Sequence, residues 1–262
     1  MAGQEREGVV KPYYEHGGIT IYHGDCCEVL PTLEPVDHVI TDPPYEGEAH
    51  TKGRRAFSGK ASAEFPKGIA EERPLAFSPI TSAQRLNVGA RMARLSRGWI
   101  LVFCQVEGAM LWRDALAPAR YVRTQIWRKT DGAPQFTGDR PGMGYESIVT
   151  CWAQPGRMSW NGGGRHGVYE YSTSKTGEHE TQKPDRLMVE LVSLFTKAGQ
   201  LVLDPFMGSG STLIAAKKLG RGAVGIEIEE RYCEIAAKRL AQEVFDFDTN
   251  PLRDEVIVQA LW

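Results

Sequence analysis

Short apolar runs recur along this chain, and several are followed by segments whose apolar residues repeat with helical spacing. The runs predict six strands, at 36–41, 99–103, 122–128, 147–152, 201–203 and 222–227. The helical spacing predicts three helices, at 87–95, 108–116 and 212–219. Strands that alternate with helices are typical of an α/β fold built on a parallel sheet.

This alternation breaks down between residues 130 and 180, where Gly, Pro, Arg and aromatic residues are frequent. Only 147–152 predicts regular structure within the stretch. Clusters of Gly and Pro are typical of loops and turns. We therefore expect one α/β domain interrupted by a small, loop-rich insertion.

A glycine-containing segment follows the apolar run at 201–203 and leads into the predicted helix at 212–219. It reads Asp204-Pro205-Phe206-Met207-Gly208-Ser209-Gly210-Ser211-Thr212. Gly208 and Gly210 allow positive φ and a close approach of the backbone to a ligand, and the helix start offers unpaired N–H groups. A strand-to-helix turn of this kind predicts a site for a nucleotide-like cofactor.

Two acidic residues indicate which cofactor the turn accepts. Glu227 ends the next predicted strand, about twenty residues beyond the loop, where a carboxylate accepts hydrogen bonds from both ribose hydroxyls. The lysine of a P-loop is absent, and Asp204 places negative charge where a phosphate would lie. S-adenosylmethionine fits this pattern, because it carries an ammonium group, a sulfonium group and a ribose but no phosphate.

The tetrapeptide Asp42-Pro43-Pro44-Tyr45 follows the apolar run at 36–41. Asp42 is then expected at the carboxyl edge of the sheet, where open α/β folds bind their ligands. The two prolines fix φ and remove two N–H donors, so that their carbonyl groups remain as rigid acceptors. Asp42 and the Pro43 carbonyl together accept both hydrogens of an exocyclic amino group, and Tyr45 offers a ring on which a base stacks.

With these segments the chain resembles, from about residue 19 to about residue 240, the amino-methylating DNA methyltransferases, which methylate adenine N6 or cytosine N4. Family members carry Asp/Asn/Ser-Pro-Pro-Tyr/Phe and a loop similar to Asp-Pro-Phe-x-Gly-Ser-Gly-Thr. The tetrapeptide precedes the cofactor loop here, an order that resembles the beta class. The resemblance implies a Rossmann-like S-adenosylmethionine-dependent methyltransferase fold, with a mixed, mostly parallel sheet and helices on both faces.

Two shorter elements extend the resemblance. Thr181-Gln182-Lys183-Pro184 is similar to an element that borders the methionine end of the cofactor, although Glu180 replaces the proline that often precedes it. His23-Gly24-Asp25-Cys26 is similar to the element whose Asp binds the cofactor adenine. The expected cofactor-binding residues are Asp25, Cys26, Asp42, Lys183, Asp204, Pro205, Phe206, Gly208, Ser209, Gly210, Thr212 and Glu227. The expected catalytic residues are Asp42, Pro43, Pro44 and Tyr45.

The family tendency that Asp opens the tetrapeptide of adenine-N6 enzymes favours adenine, and Ser there goes with cytosine N4. Both amino groups fit the same acceptors, so cytosine N4 remains an alternative. A protein-glutamine methyltransferase uses a similar tetrapeptide, but its cofactor loop normally comes first in the chain. A catalytically silent DNA-binding homologue is disfavoured by the intact tetrapeptide.

DNA contacts are expected from two regions. A basic stretch after the tetrapeptide is poor in apolar residues and predicts a mobile loop, 46–75, that closes over DNA. The insertion at 130–180 carries polar, cationic and aromatic residues of the kind that read base edges. The candidate DNA-binding residues are Lys52, Arg54, Arg55, Gln135, Arg140, Asn161 and Arg165.

Composition is compatible with this interpretation. The 262 residues are 42% hydrophobic and 24% charged, with a net charge of −2, so any attraction to DNA has to be local. No apolar run approaches the roughly 18 residues of a membrane helix, and the start lacks the apolar core of a signal peptide. We expect a cytoplasmic protein. The five cysteines have no metal-binding spacing, so no metal is expected.

The expected organisation has four parts. Residues 1–129 form the catalytic half of the methyltransferase domain, 130–180 the target-recognition region, 181–241 the cofactor-binding half and 242–262 a C-terminal extension. The resemblance implies double-stranded DNA as the partner, reached by base flipping. Many members of the family are dimers and some act beside a restriction endonuclease, so a homodimer and a cognate endonuclease are open alternatives by analogy only.

Overall fold

The computed structural model describes residues 10–45, 55–58, 69–72, 79–132, 139, 141–173 and 182–242. These residues form one sheet of nine strands and a separate pair of strands. The large sheet consists of β1 (Tyr14–His16), β2 (Ile19–His23), β3 (His38–Thr41), β6 (Trp99–Cys104), β7 (Arg120–Lys129), β8 (Tyr145–Trp152), β9 (Val168–Tyr171), β10 (Leu201–Asp204) and β11 (Gly222–Glu227). The separate pair is β4 (Arg55–Ser58) and β5 (Ile69–Glu72), which run antiparallel.

The large sheet has the order β1-β2-β11-β10-β3-β6-β8-β7-β9. Its pairs β2–β11, β11–β10, β10–β3, β3–β6 and β7–β9 are parallel. The pairs β1–β2, β6–β8 and β8–β7 are antiparallel. A mixed, mostly parallel sheet is thereby confirmed. The predicted alternation of strands and helices ends after β7, as expected, because β8 follows without a helix and runs antiparallel between β6 and β7.

Every predicted strand is present with its bounds shifted by at most two residues. Strand β6 is buried along its whole length, as expected for a strand covered on both faces. Strands β1, β2 and β9 lie outside the predicted set. Each is short and contains polar residues, so none of them has the continuous apolar run on which the prediction depended.

Two loop predictions need correction. The stretch 46–75 contains the paired strands β4 and β5, although it was predicted as a mobile loop. Phe57 and Ile69 lie within these short segments and favour strands. The prediction missed them because Gly, Ser and Ala around them lower the apolar content of the stretch. In the insertion at 130–180, β9 adds regular structure because it pairs with β7 through four residues.

Six α-helices occur in the described residues, and none of them is long and apolar enough to cross a membrane. They are α1 (Cys26–Val29), α2 (Ser82–Leu95), α3 (Ala109–Ala115), α4 (Asp185–Phe195), α5 (Ser211–Lys218) and α6 (Glu230–Ala241). Helix α2 begins five residues before the predicted start. Its beginning is fixed by a capping box, in which Thr81 and Gln84 satisfy each other's backbone N–H groups.

The helices cover both faces of the sheet, as predicted. Neighbouring strand residues point to opposite sides, so that Val39 packs in one cluster with α1, α2 and α3, while Ile40 packs in another with α4. A third cluster holds α5 and α6 against β2 and β11. This layering makes the sheet a rigid support whose loops at one edge carry the candidate site.

Candidate active site

Four acidic residues lie at or just after the carboxyl ends of parallel neighbouring strands and therefore reach the same edge of the sheet. Asp25 comes after β2, Asp42 after β3, and Asp204 and Glu227 end β10 and β11. Backbone and side-chain bonds connect these ends. The Gly24 N–H donates to the Glu227 carbonyl at 2.9 Å. Each of these residues was predicted to bind the cofactor, and the topology brings all four to one edge.

Asp204 is buried, with 3% of its surface exposed, and it organises the cofactor loop. Its Oδ1 accepts hydrogen bonds from the Thr41 hydroxyl at 2.6 Å and the Phe206 N–H at 3.1 Å. Its Oδ2 accepts one from the Thr212 hydroxyl at 2.6 Å. Burial raises its pKa to about 6. The carboxylate thus joins β3, the loop and the start of α5, and its predicted contact with a cofactor ammonium group stays a prediction.

The glycines of the loop have the backbone conformation predicted for them. Gly208 has φ +50° and Gly210 has φ +83°, both in the left-handed region. Gly210 directly precedes α5, and a β-carbon added there would lie 2.9 Å from the Ala236 β-carbon on α6. Gly210 is therefore required both by its φ and by the close packing of α6 against the loop.

The Gly210→Ala variant is expected to have a lower free energy of unfolding than a matched glycine-to-alanine variant in which the new β-carbon meets no other atom. Gly220→Ala is that control, since Gly220 has φ +70° with open space around its missing β-carbon. Both variants carry the left-handed penalty of roughly 1–2 kcal/mol, and only Gly210→Ala adds the contact with Ala236. Urea denaturation measures the difference, and equal stability of the two variants would contradict the packing argument.

Glu227 is held by two backbone N–H groups. Its Oε2 accepts from Gly208 at 3.0 Å and its Oε1 from Glu229 at 2.9 Å. Burial raises its pKa, an effect that these backbone hydrogen bonds oppose. Each carboxylate oxygen has a second acceptor site, so the fixed carboxylate is suited to the ribose hydroxyls proposed from the sequence.

Asp25 caps helix α1 by accepting a hydrogen bond from the Cys27 N–H at 2.8 Å. The side-chain ligand atoms of Asp25, Cys26 and Cys27 lie within 4.8 Å of one another. Burial raises the pKa of both thiols. The predicted cofactor contacts of Asp25 and Cys26 stay predictions.

The tetrapeptide after β3 lies against a buried cluster of charges. The Lys183 ammonium group forms an ion pair with Asp42 Oδ2 and lies 3.3 Å from Glu146 Oε2. Lys129 lies 2.6 Å from Glu146 Oε1. The Tyr45 hydroxyl donates to Glu146 Oε2 at 2.5 Å. Asp42 and Tyr45, predicted as catalytic, are thus joined through Lys183 and Glu146.

Glu146 was not identified from the sequence. It lies one residue before the predicted strand 147–152, and the structure extends that strand to Tyr145–Trp152. Its burial, with 8% of its surface exposed, could not be inferred from a lone acid beside an apolar run. The sequence signal was weak, namely an acid next to a strand expected in the sheet core.

The charges of this cluster affect one another. Burial raises the pKa of Asp42, Lys183 opposes this effect, and Glu146 adds to it. Burial would also raise the pKa of Glu146, but Lys183 and Lys129 outweigh that effect and lower it to about 2. Burial lowers the pKa of Lys183, but Asp42 and Glu146 raise it overall. The cluster therefore holds Glu146 as an anion and Lys183 as a cation.

Aromatic rings surround the Lys183 ammonium group. Its nitrogen lies 5.1 Å from the ring centre of Phe103, 5.7 Å from that of Tyr45 and 6.0 Å from that of Trp127. Rings at these distances attract a cation through their negative faces. Tyr45 also lines a small cleft with Cys104, Gln105, Gly108 and Trp112. The lysine is thus confined, while Tyr45 borders both the charges and a cleft.

The cofactor loop is also held from α4 and α6. Arg239 on α6 donates to the Ser209 carbonyl at 2.7 Å and lies 3.1 Å from the Asp185 carboxylate at the start of α4. The Ser209 hydroxyl donates to the Gln182 side chain at 3.3 Å. The segment containing Lys183 is therefore anchored beside the cofactor loop, and its place at the methionine end of the cofactor stays a prediction.

The structure describes two of the candidate DNA-binding side chains. The Asn161 amide donates to the Ser193 carbonyl at 2.9 Å and to the Thr196 carbonyl at 2.8 Å, at the end of α4. Arg165 forms an ion pair with Glu190 on the same helix. Both side chains thus stabilise the insertion against α4, and their contact with DNA stays a prediction.

The other candidate DNA-binding residues cannot be placed at the site. Arg55 begins strand β4, but its side chain lies outside the described part of the chain. The same holds for four complete residues: Lys52, Arg54, Gln135 and Arg140.

Comparison with known proteins agrees with this geometry. A family model described as DNA methylase matches residues 157–238, which include the cofactor loop and Glu227. The type II methyltransferase M2.LlaDCHI of Lactococcus lactis is 29% identical over 88% of this chain and 93% of its own length. M2.DpnII of Streptococcus pneumoniae is 27% identical over 90% and 94%. These findings support the resemblance to the amino-methylating DNA methyltransferases that the sequence motifs indicate.

Solved structures support the fold predicted for this chain. The M1.HpyAVI–SAM complex is 27% identical, with a TM-score of 0.64 and coverage of 85% of this chain and 99% of that one. The cytosine-N4-specific PvuII DNA methyltransferase has the same TM-score of 0.64 at 14% identity, covering 95% and 94%. At that identity the second comparison supports the fold alone. The predicted Rossmann-like methyltransferase fold is confirmed.

Proposed function

We propose that this methyltransferase transfers a methyl group from S-adenosylmethionine to the exocyclic N6 of adenine in double-stranded DNA. The observation that carries this proposal is the hydrogen bonding of the two Asp42 carboxylate oxygens. Its Oδ2 is bound by Lys183, whereas its buried Oδ1 has no hydrogen-bond partner among the described residues. A buried acceptor without a donor requires an explanation, and an amino group of the substrate supplies one.

The residues at the sheet edge fit S-adenosylmethionine. Glu227 presents a fixed carboxylate for a ribose, and the glycines let the loop backbone approach a ligand closely. The three other acids at this edge, Asp25, Asp42 and Asp204, suit a cofactor with cationic groups better than one with phosphates. The relative M1.HpyAVI has been crystallised as a complex with the same cofactor. When bound, the cofactor supplies an electrophilic methyl group on its sulfonium.

Asp42 and the Pro43 carbonyl orient the amino group of the target base. The nitrogen lone pair of an aromatic amine is delocalised into the ring, so it becomes nucleophilic when both N–H bonds are drawn out of plane. Two acceptors fixed after β3 hold the hydrogens in that arrangement. Such orientation lowers the activation free energy by roughly 7–11 kcal/mol in well-aligned reactions. Asp42 therefore acts as an orienting and electrostatic group, and proton loss follows methyl transfer.

Tyr45 provides the stacking surface for a base that has left the duplex. Flipping the base out of the duplex costs a few kcal/mol, and stacking on an aromatic ring offsets about 1–3 kcal/mol of this. The hydrogen bond from the Tyr45 hydroxyl to Glu146 fixes the ring beside Asp42. The stacking surface and the acceptor are thus positioned by the same buried cluster.

The choice of adenine over cytosine rests on the first residue of the tetrapeptide. Asp42 occupies the position that carries Asp in adenine-N6 enzymes of the family and Ser in cytosine-N4 enzymes. The partner is double-stranded DNA. A homodimer, a cytoplasmic location and a cognate restriction endonuclease stay predictions, the last supported by relatives named type II methyltransferases.

The product of the reaction tests this proposal directly. Purified protein is incubated with methyl-labelled S-adenosylmethionine and unmethylated genomic DNA, and the DNA is then digested to nucleosides. We expect the label in N6-methyladenine. Label in N4-methylcytosine would overturn the choice of base but keep the role of Asp42. Bound cofactor without labelled DNA would overturn DNA as the substrate, and label on protein glutamine would identify the alternative.

A further inference from the structure

Glu146 makes more contacts to the candidate catalytic residues than its place in the sequence indicates. Its two oxygens contact the Tyr45 hydroxyl at 2.5 Å, Lys183 at 3.3 Å and Lys129 at 2.6 Å. The side chain is buried at the start of β8, and its backbone is fixed by the β7–β8 ladder, where it pairs with Trp127. A carboxylate on a rigid strand thus contacts one catalytic side chain directly and reaches the second through Lys183.

We propose that Glu146 is a positioning residue for methyl transfer, which holds Lys183 against Asp42 and the Tyr45 ring beside them. This inference rests on the proposed function, because its consequence is the geometry of the amino-group acceptor. Glu146 itself has no direct contact with the base or the cofactor in this role. It acts through the ammonium group of Lys183 and the hydroxyl of Tyr45.

The balance of charges supports this role. Asp42 and Glu146 are two acids, and Lys129 and Lys183 are two bases, so the buried cluster is neutral when all four are ionised. Removing one partner of a buried ion pair leaves an uncompensated charge, which is strongly unfavourable. Glu146 is the member that contacts both lysines. If the charge of Glu146 were removed, Asp42 would be the anion that remains beside Lys183 in the cluster.

The position of Lys183 determines which oxygen of Asp42 is available. The ammonium group binds Oδ2, so Oδ1 is left to accept a hydrogen bond from the substrate. A lysine without Glu146 is free to approach both oxygens of Asp42, since an ammonium group has three donors. Glu146 therefore keeps one acceptor of Asp42 free, and it does so from a strand that does not belong to the tetrapeptide.

The Glu146→Gln variant tests the inference, because it keeps the size of the side chain and removes its charge. We expect kcat for DNA methylation to fall about 100-fold, as for a small misplacement of reacting groups, while the Kd for S-adenosylmethionine changes less than about threefold. The matched control is Glu234→Gln on α6, which removes an exposed ion pair with Lys238. Its kcat should stay within about twofold of wild type.

The Tyr45→Phe variant provides a second test that does not depend on how Glu146→Gln folds. It removes the hydroxyl and keeps the ring, and we expect kcat to fall about tenfold. In a Glu146→Gln background Tyr45→Phe should lower kcat by a smaller factor, since the partner of the Tyr45 hydroxyl is already altered. The claim that Glu146 positions Tyr45 would be overturned if Tyr45→Phe left kcat unchanged. It would also be overturned if the effects of the two substitutions on kcat were fully additive.

An NMR titration of the Asp42 carboxyl carbon separates this inference from the proposed function. The charged and titratable groups of the cluster are Asp42, Tyr45, Lys129, Glu146 and Lys183, with Cys104 facing Tyr45, and the charge of Asp42 also acts on Asp204 at the end of β10. Glu146 raises the pKa of Asp42, so its replacement by Gln should move the titration of Asp42 to lower pH. An unchanged titration, or an unchanged kcat, would overturn the role of Glu146. If the titration shifts as expected but the wild-type protein methylates no DNA, the proposed function alone is overturned.

Discussion

The Asp42→Asn variant is expected to lose DNA methylation by at least about 10³-fold, with S-adenosylmethionine bound nearly as in the wild type. Asn has the size of Asp, so packing after β3 is preserved. Lys183 donates to the Oδ2 position and therefore requires an oxygen there. The new amide NH₂ is then forced into the Oδ1 position, where it faces the amino group of the substrate donor to donor.

Single-turnover methylation of DNA and equilibrium binding of the cofactor measure the two parts of this expectation. Asp114→Asn is a suitable control, since Asp114 is exposed and pairs with its neighbour Arg113 at the surface. It should leave both quantities unchanged. Retained turnover in Asp42→Asn would remove Asp42 from the reaction, and a large loss of cofactor affinity would assign it mainly to cofactor binding.

The sequence was most informative where function and fold depend on neighbouring residues. The loop from Asp204 to Thr212 follows a buried strand and precedes a helix, so its glycines, its helix start and its place at the sheet edge were all predictable. Gly208 and Gly210 have the positive φ values expected of them. The same local logic placed Asp42 after β3.

Features that depend on distant pairing were not predictable in this way. The Tyr45–Glu146 contact joins residues 101 positions apart, and the Asp42–Lys183 contact joins residues 141 apart. The first arises because β8 runs antiparallel beside β6, a pairing that apolar periodicity does not specify. Glu146 was missed for this reason, although it is central to the charges around Asp42.

The insertion shows a second limit of composition as a guide. Asn161 and Arg165 were proposed for DNA because polar and cationic residues on loops are typical of base readout. In the structure their side chains bind the end and the surface of α4. A loop that packs on a helix needs the same residue types to satisfy carbonyl groups and carboxylates, so the pattern alone does not distinguish the two uses.

The Glu227→Gln variant is expected to raise the Kd for S-adenosylmethionine about 100-fold, since it weakens hydrogen bonds to a charged acceptor worth roughly 1.5–3 kcal/mol each. Both carboxylate oxygens accept from backbone N–H groups, Gly208 on one side and Glu229 on the other. A Gln side chain offers one oxygen, so its NH₂ must face one of these donors. The loop or the turn into α6 then moves, and a ribose acceptor is lost as well.

Isothermal titration with S-adenosylmethionine measures this change, with Glu230→Gln as the control. Glu230 is exposed in the first turn of α6, three residues from Glu227, so its replacement alters a nearby charge and leaves the two backbone bonds of Glu227 in place. Its Kd should match the wild type. An unchanged Kd in Glu227→Gln would mean that the carboxylate only supports the loop and that the ribose is bound elsewhere. A raised Kd with unchanged stability would favour direct contact with the cofactor, because a displaced loop would also lower the free energy of unfolding.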